Sequence, residues 1–176
     1  SSIVNDASPL TSAQGVQVWD LKIRDAGSAA PDSDALPTLL TALSLHQDTS
    51  NTVPDWGAAV KAADLFDGTT HLASGVISTT DIVFSSFSAS APDNLTKDVF
   101  VRISLKSPLP AGSYGKKFGF KVSPTDVTAA GGATSSLFGT GAAIARSDNT
   151  KNKIEIIGTK MLFVGSVPSS LPNTAF

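Results

Sequence analysis

The sequence contains no cysteine, and this absence excludes several kinds of chemistry at once. Disulfide bridges, thiolate metal sites and cysteine nucleophiles all require that side chain. Histidine is nearly as scarce, because His46 and His71 are the only two in the chain, and general bases are therefore few. We interpret both histidines as surface loop residues, since His46 ends a predicted strand and His71 follows a turn. We predict that the protein is not an enzyme.

Long apolar runs and concentrated positive charge are missing as well. No stretch approaches the roughly 20 apolar residues that a membrane-spanning helix needs. The 13 Lys and Arg residues are scattered and the net charge is -2, so no basic stripe suits phosphate binding. We therefore predict no membrane insertion and no nucleic-acid partner.

Glutamate is almost absent, since Glu155 is the only glutamate among the 15 acidic residues. Glu favours helices, whereas Asp favours turns and caps. Together with 14 Gly and 10 Pro, this composition favours short strands joined by structured loops. We predict an all-β fold, an antiparallel β-sandwich of roughly eight or nine strands.

Alternation of apolar and polar residues locates the strands. Residues 99–106 alternate strictly, which predicts that Ser104 faces the solvent. Residues 81–87 and 117–122 are expected to join this strand in a meander. In Val16–Arg24 the alternation changes phase, which indicates a β-bulge near residues 18–20.

One segment has the periodicity of a helix. Apolar residues recur at helical spacing over Trp56, Ala59, Val60 and Ala63. Gly68 stands where a left-handed helix cap would end the segment. We predict one short helix over about residues 55–66, which closes one end of the sandwich with Trp56 as its anchor.

The length of 176 residues suits one domain with a tail. We predict a β-sandwich module over residues 1–158 and a C-terminal strand and linker over residues 159–176, leading to, or donated to, the next module or subunit. The chain begins without an initiator Met or a signal-peptide pattern, so a processed form or an excised fragment is expected.

The densest group of carboxylates is a candidate calcium site. Asp25, Asp32 and Asp34 lie close together in a segment that also holds Gly27 and Pro31. Calcium takes six to eight oxygen ligands, and a short Asp-rich loop between strands can supply them. The alternative is that these Asp side chains form turns and cap loop amides. No other cofactor is indicated.

Several ordered segments carry a family resemblance. They are Ile23–Gly27, Asp32–Thr38, Asp55–Trp56 and Leu65–Gly68, followed by the tail Gly158–Val164 with Pro168 and Asn173. This order resembles an immunoglobulin-like repeat module of giant tandem-repeat surface and adhesion proteins of the Bacteroidetes type. The resemblance implies an immunoglobulin-like β-sandwich at the cell surface, secreted and without chemistry of its own, whose partners are neighbouring copies or modules.

Three functions remain open at this point. The first is a passive structural module in an adhesin or matrix array. The second is a filament or pilus-like subunit that polymerises by terminal strand exchange, with Ser1–Gln14 or Lys160–Phe176 as the donor. The third is a module that binds a glycan or another cell-surface ligand; Trp19 and Trp56 could stack on a sugar, although core positions suit them better.

Overall fold

The computed structural model describes residues 7–25 and 34–136, together with the backbone of residues 146–147 and 152–153. Calcium candidate Asp32 and the predicted C-terminal strand and linker, residues 159–176, lie outside these ranges. In the described part, no helix is both long and apolar enough to span a membrane. Most of the strands form two antiparallel sheets packed face to face, which confirms the predicted all-β sandwich.

The strands are short and follow one another closely along the chain. In chain order they are β1 (Val16–Arg24), β2 (Thr38–Gln47), β3 (Val60–Asp67), β4 (Thr70–Ser74), β5 (Val76–Ile77), β6 (Asp81–Phe84), β7 (Ala89–Ala91), β8 (Thr96–Leu105), β9 (Lys117–Phe118), β10 (Phe120–Val122), β11 (Val127–Ala129), β12 (Arg146–Ser147) and β13 (Asn152–Lys153). One short helix, α1 (Trp56–Ala59), precedes β3.

The first sheet has the strand order β1-β8-β3-β4. The second has the order β12-β10-β2-β6-β5, and β7 and β11 also pair with β2. A separate two-stranded sheet joins β13 to β9. The two longest strands, β2 and β8, therefore have partners on both sides and form the middle of their sheets.

The predicted meander is wrong. β6 and β10 both pair with β2 in the second sheet, whereas β8 pairs with β1 and β3 in the first. Alternation shows that one face of a strand is buried, but it does not identify the neighbouring strand. The chain crosses from one sheet to the other between these strands, which is a topology that local patterns cannot reveal.

The predicted bulge in β1 is confirmed. The register against β8 shifts between Gln17 and Trp19, so Val18 is the additional residue. The prediction for Ser104 is wrong, because this residue of β8 is fully buried. It lies opposite Ala62 of β3 on the outer face of the first sheet. Leu10, which precedes β1, packs on the same face.

The predicted short helix is present but covers only Trp56–Ala59, and Val60–Asp67 is strand β3. Asp55 caps the helix, since its Oδ1 accepts a hydrogen bond of 2.9 Å from the amide of Ala58. The misassignment has a physical cause. β3 is buried on both faces, so its apolar residues do not alternate and they reproduce helical spacing by coincidence.

Trp56 anchors α1 as predicted. Its side chain is fully buried, and its ring centroid lies 4.9 Å from that of Phe120 and 6.2 Å from that of Phe118. The indole Nε1 donates a hydrogen bond of 3.1 Å to Asn51 Oδ1. Its apolar ring is thus in the core between the sheets, and its polar atom has a partner.

Candidate functional site

His46 lies between two carboxylates. Asp81 Oδ1 contacts its Nδ1, and Asp126 Oδ1 is 3.0 Å from its Nε2. His46 belongs to β2, Asp81 begins β6, and Asp126 ends a 3-10 turn over Pro124–Asp126. The prediction of a surface loop residue is therefore wrong for His46, because both ring nitrogens hold elements of the second sheet together.

The charges of this cluster shift both partners toward their ionised forms. Partial burial lowers the pKa of His46, but the hydrogen bond to Asp81 and the charges of Asp126 and Asp81 outweigh it, so the pKa is raised above 6.5. Partial burial raises the pKa of Asp81, but hydrogen bonds from Thr80, His46 and Ser78 outweigh it and the pKa is lowered. The cluster is an ion pair at mildly acid pH.

A second cluster surrounds Asp64, which is fully buried in β3. Its Oδ1 accepts hydrogen bonds from Ser74 Oγ at 2.6 Å and His71 Nε2 at 2.7 Å. Its Oδ2 accepts one from the amide of Leu10 at 2.9 Å. The prediction for His71 is confirmed in its surface position, since the residue is exposed, but it is wrong about the loop, since His71 lies in β4.

The combination of Asp64, His71 and Ser74 differs from a catalytic triad. In a triad the histidine accepts the proton of the serine hydroxyl. Here His71 Nε2 and Ser74 Oγ both lie within hydrogen-bond distance of the same oxygen of Asp64, at 2.7 and 2.6 Å, whereas Ser74 Oγ and His71 Nε2 are 3.3 Å apart. The shorter contact of the serine hydroxyl is thus with the carboxylate, which accepts its proton in a hydrogen bond.

A third cluster involves Asp25, one of the candidate calcium ligands. Asp25 is buried at the end of β1, where its Oδ1 accepts from Thr38 Oγ1 at 2.6 Å and its Oδ2 from the amide of Asn94 at 2.8 Å. Its own amide donates to the carbonyl of Leu95. Asp25 thus joins the end of β1 to the start of β2 and to the loop before β8.

Asp34, the next calcium candidate, is exposed and has other partners. Its Oδ1 accepts from the amide of Leu36 at 2.9 Å and its Oδ2 from Ser136 Oγ at 2.8 Å. Among the residues with described positions, no three His, Asp or Glu side chains form a group that could hold a metal. Because Asp32 is outside that set, calcium binding stays a prediction.

One feature of the sequence does point to these clusters. Asp64 interrupts an apolar stretch in β3, and a carboxylate at such a position needs hydrogen-bond donors if it is buried. One of its donors could not be named in advance, because Leu10 lies 54 positions away in the sequence. His46 is similar, since Asp126 is 80 positions distant.

A shallow cleft lies between the segment before α1 and the loop after β8. Its lining is largely apolar and includes Val53, Pro54, Ala58 and Pro110, with Lys116 at its polar side. Asp55, which also lines it, already accepts the amide of Ala58. The cleft therefore offers little convergent polar chemistry with which to orient a sugar.

No family profile, no curated protein and no solved structure matches this chain. The resemblance to surface repeat modules therefore depends on the sequence segments alone.

Proposed function

We propose that the protein is a non-enzymatic structural module of an extracellular bacterial surface protein, such as an adhesin or a matrix array. One observation carries the proposal: the side chains best suited to chemistry are used to join distant parts of the fold. Asp64 joins β3, β4 and the segment before β1, while Asp25 joins both sheets. His46 joins β2, β6 and the 3-10 turn.

Buried carboxylates of this kind favour persistence of the folded state. A buried charge is tolerated only when hydrogen bonds replace its hydration. Since these bonds come from different elements, local opening of one element removes part of the hydrogen bonding that a buried carboxylate needs. Such interactions penalise partial unfolding, which suits a module that must remain folded outside the cell.

The segments that carry the family resemblance support the same function. Ile23 and Asp25 are buried where β1 ends, and Trp56 is buried in α1. Leu65–Gly68 runs from the core of the first sheet into the turn before β4. These positions determine the packing and turns of the sandwich, which is what successive modules of an array would share.

The state of association of the isolated chain tests this proposal. A passive module should be a folded monomer at micromolar concentration, because its role requires only a covalent connection to its neighbours. Sedimentation velocity and electron microscopy would measure this, with circular dichroism to confirm folding. Ordered fibres formed by the folded chain would contradict the passive module.

A second candidate function is a subunit that polymerises by terminal strand exchange, and the edge of the first sheet favours it. β1 is nine residues long and, among the described residues, pairs only with β8. An open strand edge is a template for another strand. Deleting Ser1–Gln14 or Lys160–Phe176 should abolish polymers if that segment is the donor, and polymers that persist would exclude it.

A further inference from the structure

The outer face of the first sheet carries a groove that part of the chain already occupies. We define the arm groove by the outward-facing residues of β8, β3 and β4. Across the strands they form three rows: Ser104 with Ala62, Arg102 with Asp64 and Ser74, and Phe100 with Phe66 and His71. Phe66 and Phe100 stack with their ring centroids 5.8 Å apart, so one end of the groove is apolar.

Residues 7–14, which we call the arm, lie in this groove. Leu10 is buried against Ala62, Phe66 and Phe100 in a cluster separate from the main core. Its amide donates to Asp64 Oδ2 at 2.9 Å. At the end of the arm, Arg102 donates through Nε to the carbonyl of Gln14. The groove thus contacts three groups of the arm: the side chain of Leu10, the amide of Leu10 and the carbonyl of Gln14.

The groove is organised without help from the arm. His71 and Ser74 both donate to Oδ1 of Asp64, so the carboxylate is already oriented with Oδ2 directed at the amide of Leu10. A receptor whose polar groups are held in place loses less entropy when a peptide binds. The groove therefore has the properties of a preformed peptide site.

The arm, by contrast, is held by few contacts from the described part of the chain. It forms no strand, and in it only Leu10 is buried. A single turn reverses its direction, closed by the amide of Gln14 on the carbonyl of Thr11 at 3.0 Å. Segments with so few contacts open more readily than the sheets beneath them.

We propose that the arm groove is also the recognition site for the arm of a second copy, so that two copies exchange arms. Every contact described above would be the same between two chains as within one, which is the condition for swapping an element. The proposal deepens the second candidate function: it rests on self-association, but it places the donor on the face of the sheet and not at its edge.

The connection to β1 explains when exchange occurs. Gly15 has φ of 65°, and a Cβ there would lie 2.5 Å from the carbonyl oxygen of Ile103, so the reversal is tight. A glycine at this hinge can adopt both the closed turn and the extended backbone that an exchanged arm requires. However, the chain's own arm has an effective concentration in the millimolar range. Dilute copies therefore remain closed, and exchange needs the crowding of an array or a block of the chain's own arm.

Two complementary variants test the proposal in full-length chains. Leu10→Asp places a charge beside Asp64, so this chain has a disabled arm and a vacant groove. Ala62→Gln fills the space of Leu10, so this chain has a free arm and a blocked groove. Each alone should be monomeric. A mixture should form a one-to-one complex, because the free arm of one meets the vacant groove of the other.

Energy transfer would report this complex. The chain has no cysteine, so a donor on Ser8→Cys in the Ala62→Gln chain and an acceptor on Thr70→Cys in the Leu10→Asp chain label cleanly. Both native residues are exposed. We expect transfer in the matched mixture and its loss when the acceptor chain carries Ala62→Gln as well as Leu10→Asp. Excess unlabelled peptide of residues 7–14 should also abolish it.

Two results would overturn the proposal. One is no transfer in the matched mixture of folded chains at several hundred micromolar. The other is transfer that the double variant retains, since association would then use a different surface. If a variant melts without a cooperative transition, Leu10→Ser paired with Ala62→Val repeats the test with smaller changes. The polymer assay above judges filament formation separately, so failure of one proposal is distinguishable from failure of the other.

Discussion

At the scale of single residues, Trp56 connects the helix to the core. Its ring packs against Phe118 and Phe120, and its indole nitrogen is hydrogen-bonded to Asn51. We expect Trp56→Ala to lower the free energy of unfolding by about 3 to 5 kcal/mol, the usual cost of removing a buried large aromatic residue. Tyr114→Ala is a suitable control, since Tyr114 is 65% exposed. Chemical denaturation with equal losses for both variants would contradict the anchoring role.

His46 makes stability dependent on pH. Because its pKa is raised in the folded state, its contribution is fully present below 6.5 and is lost as the pH rises through the folded value. The lowered pKa of Asp81 acts at the other end: its contribution is present above 3.8 and is lost as the pH falls through its folded value. The cluster is therefore at full strength between these limits.

The substitution His46→Asn tests this dependence. We expect the parent to exceed the variant in free energy of unfolding most clearly in the mildly acid range. The difference should shrink as the pH rises above 6.5, because the parent's histidine then loses its charge. Urea denaturation of both chains across this range would measure it, and Lys22→Gln, an exposed charge change, is the control. A difference that is constant with pH would contradict the proposed ion pair.

Calcium binding is the prediction whose outcome depends on Asp32. A ligand that binds only the folded state stabilises it by mass action, and at one hundred times its dissociation constant the gain is about 2.7 kcal/mol. If Asp25, Asp32 and Asp34 bind calcium, the melting temperature should rise with calcium, and Asp32→Asn should remove most of that rise. Identical thermal scans in millimolar calcium and in chelator would leave these residues as loop caps.

Residue types alone predicted the core positions but not the polar clusters. An indole among apolar residues at regular spacing is expected to be buried, and Trp56 is. Asp64 could be recognised as unusual, because it is a charged residue within the apolar stretch of β3. Two of its donors come from β4, which a two-residue turn joins to β3, and reading that turn as a helix cap concealed them. The third comes from the arm, which no local rule connects to β3.

At the scale of elements, the strands were predictable where one face is exposed and uncertain where neither is. β1 alternates, and even its bulge was evident from the change of phase. β3 is covered by the core on one face and by β4's histidine and the arm on the other, so alternation disappears. A helix was predicted there because continuous apolar runs fit several periods.

Gly68 is a turn residue between β3 and β4, and the prediction that it caps a helix is wrong. It has φ of 57° and opens the two-residue turn between Asp67 and Thr70, which pair across β3 and β4. A Cβ at Gly68 would meet nothing within 4 Å, so any cost of substitution comes from the backbone alone. We expect Gly68→Val to cost about 1 to 3 kcal/mol of stability, and Gly68→Asn clearly less, since Asn tolerates positive φ.

Thermal and chemical denaturation of the two Gly68 variants would measure this difference. Thr69→Ala is the matched control, because Thr69 is the other residue of the turn and is exposed. Equal losses for Gly68→Val and Gly68→Asn would mean that steric contact, and not backbone conformation, limits this turn.

At the scale of the whole molecule, each sheet is organised around one long central strand that pairs on both sides. β8 lies between β1 and β3, and β2 pairs with β6 and β7 on one side and with β10 and β11 on the other. The main core lies between these central strands, whereas the arm covers only a small satellite cluster. Stability should therefore decrease from the central strands outward.

Hydrogen exchange measures this gradient directly. Amides that lie in a doubly paired strand exchange only when the whole domain unfolds, so β2 and β8 should be protected up to the global free energy of unfolding. The amide of Leu10 should exchange much faster, because it donates to a side chain, Asp64, and its arm can lift from the groove without disturbing either sheet. Asp64→Asn weakens that acceptor and should accelerate exchange at Leu10 by more than it accelerates exchange in β2, which follows the global stability alone. If instead Leu10 were as protected as β8 in the parent, the arm would be part of the cooperative core, and an exchange of arms between copies would require complete unfolding.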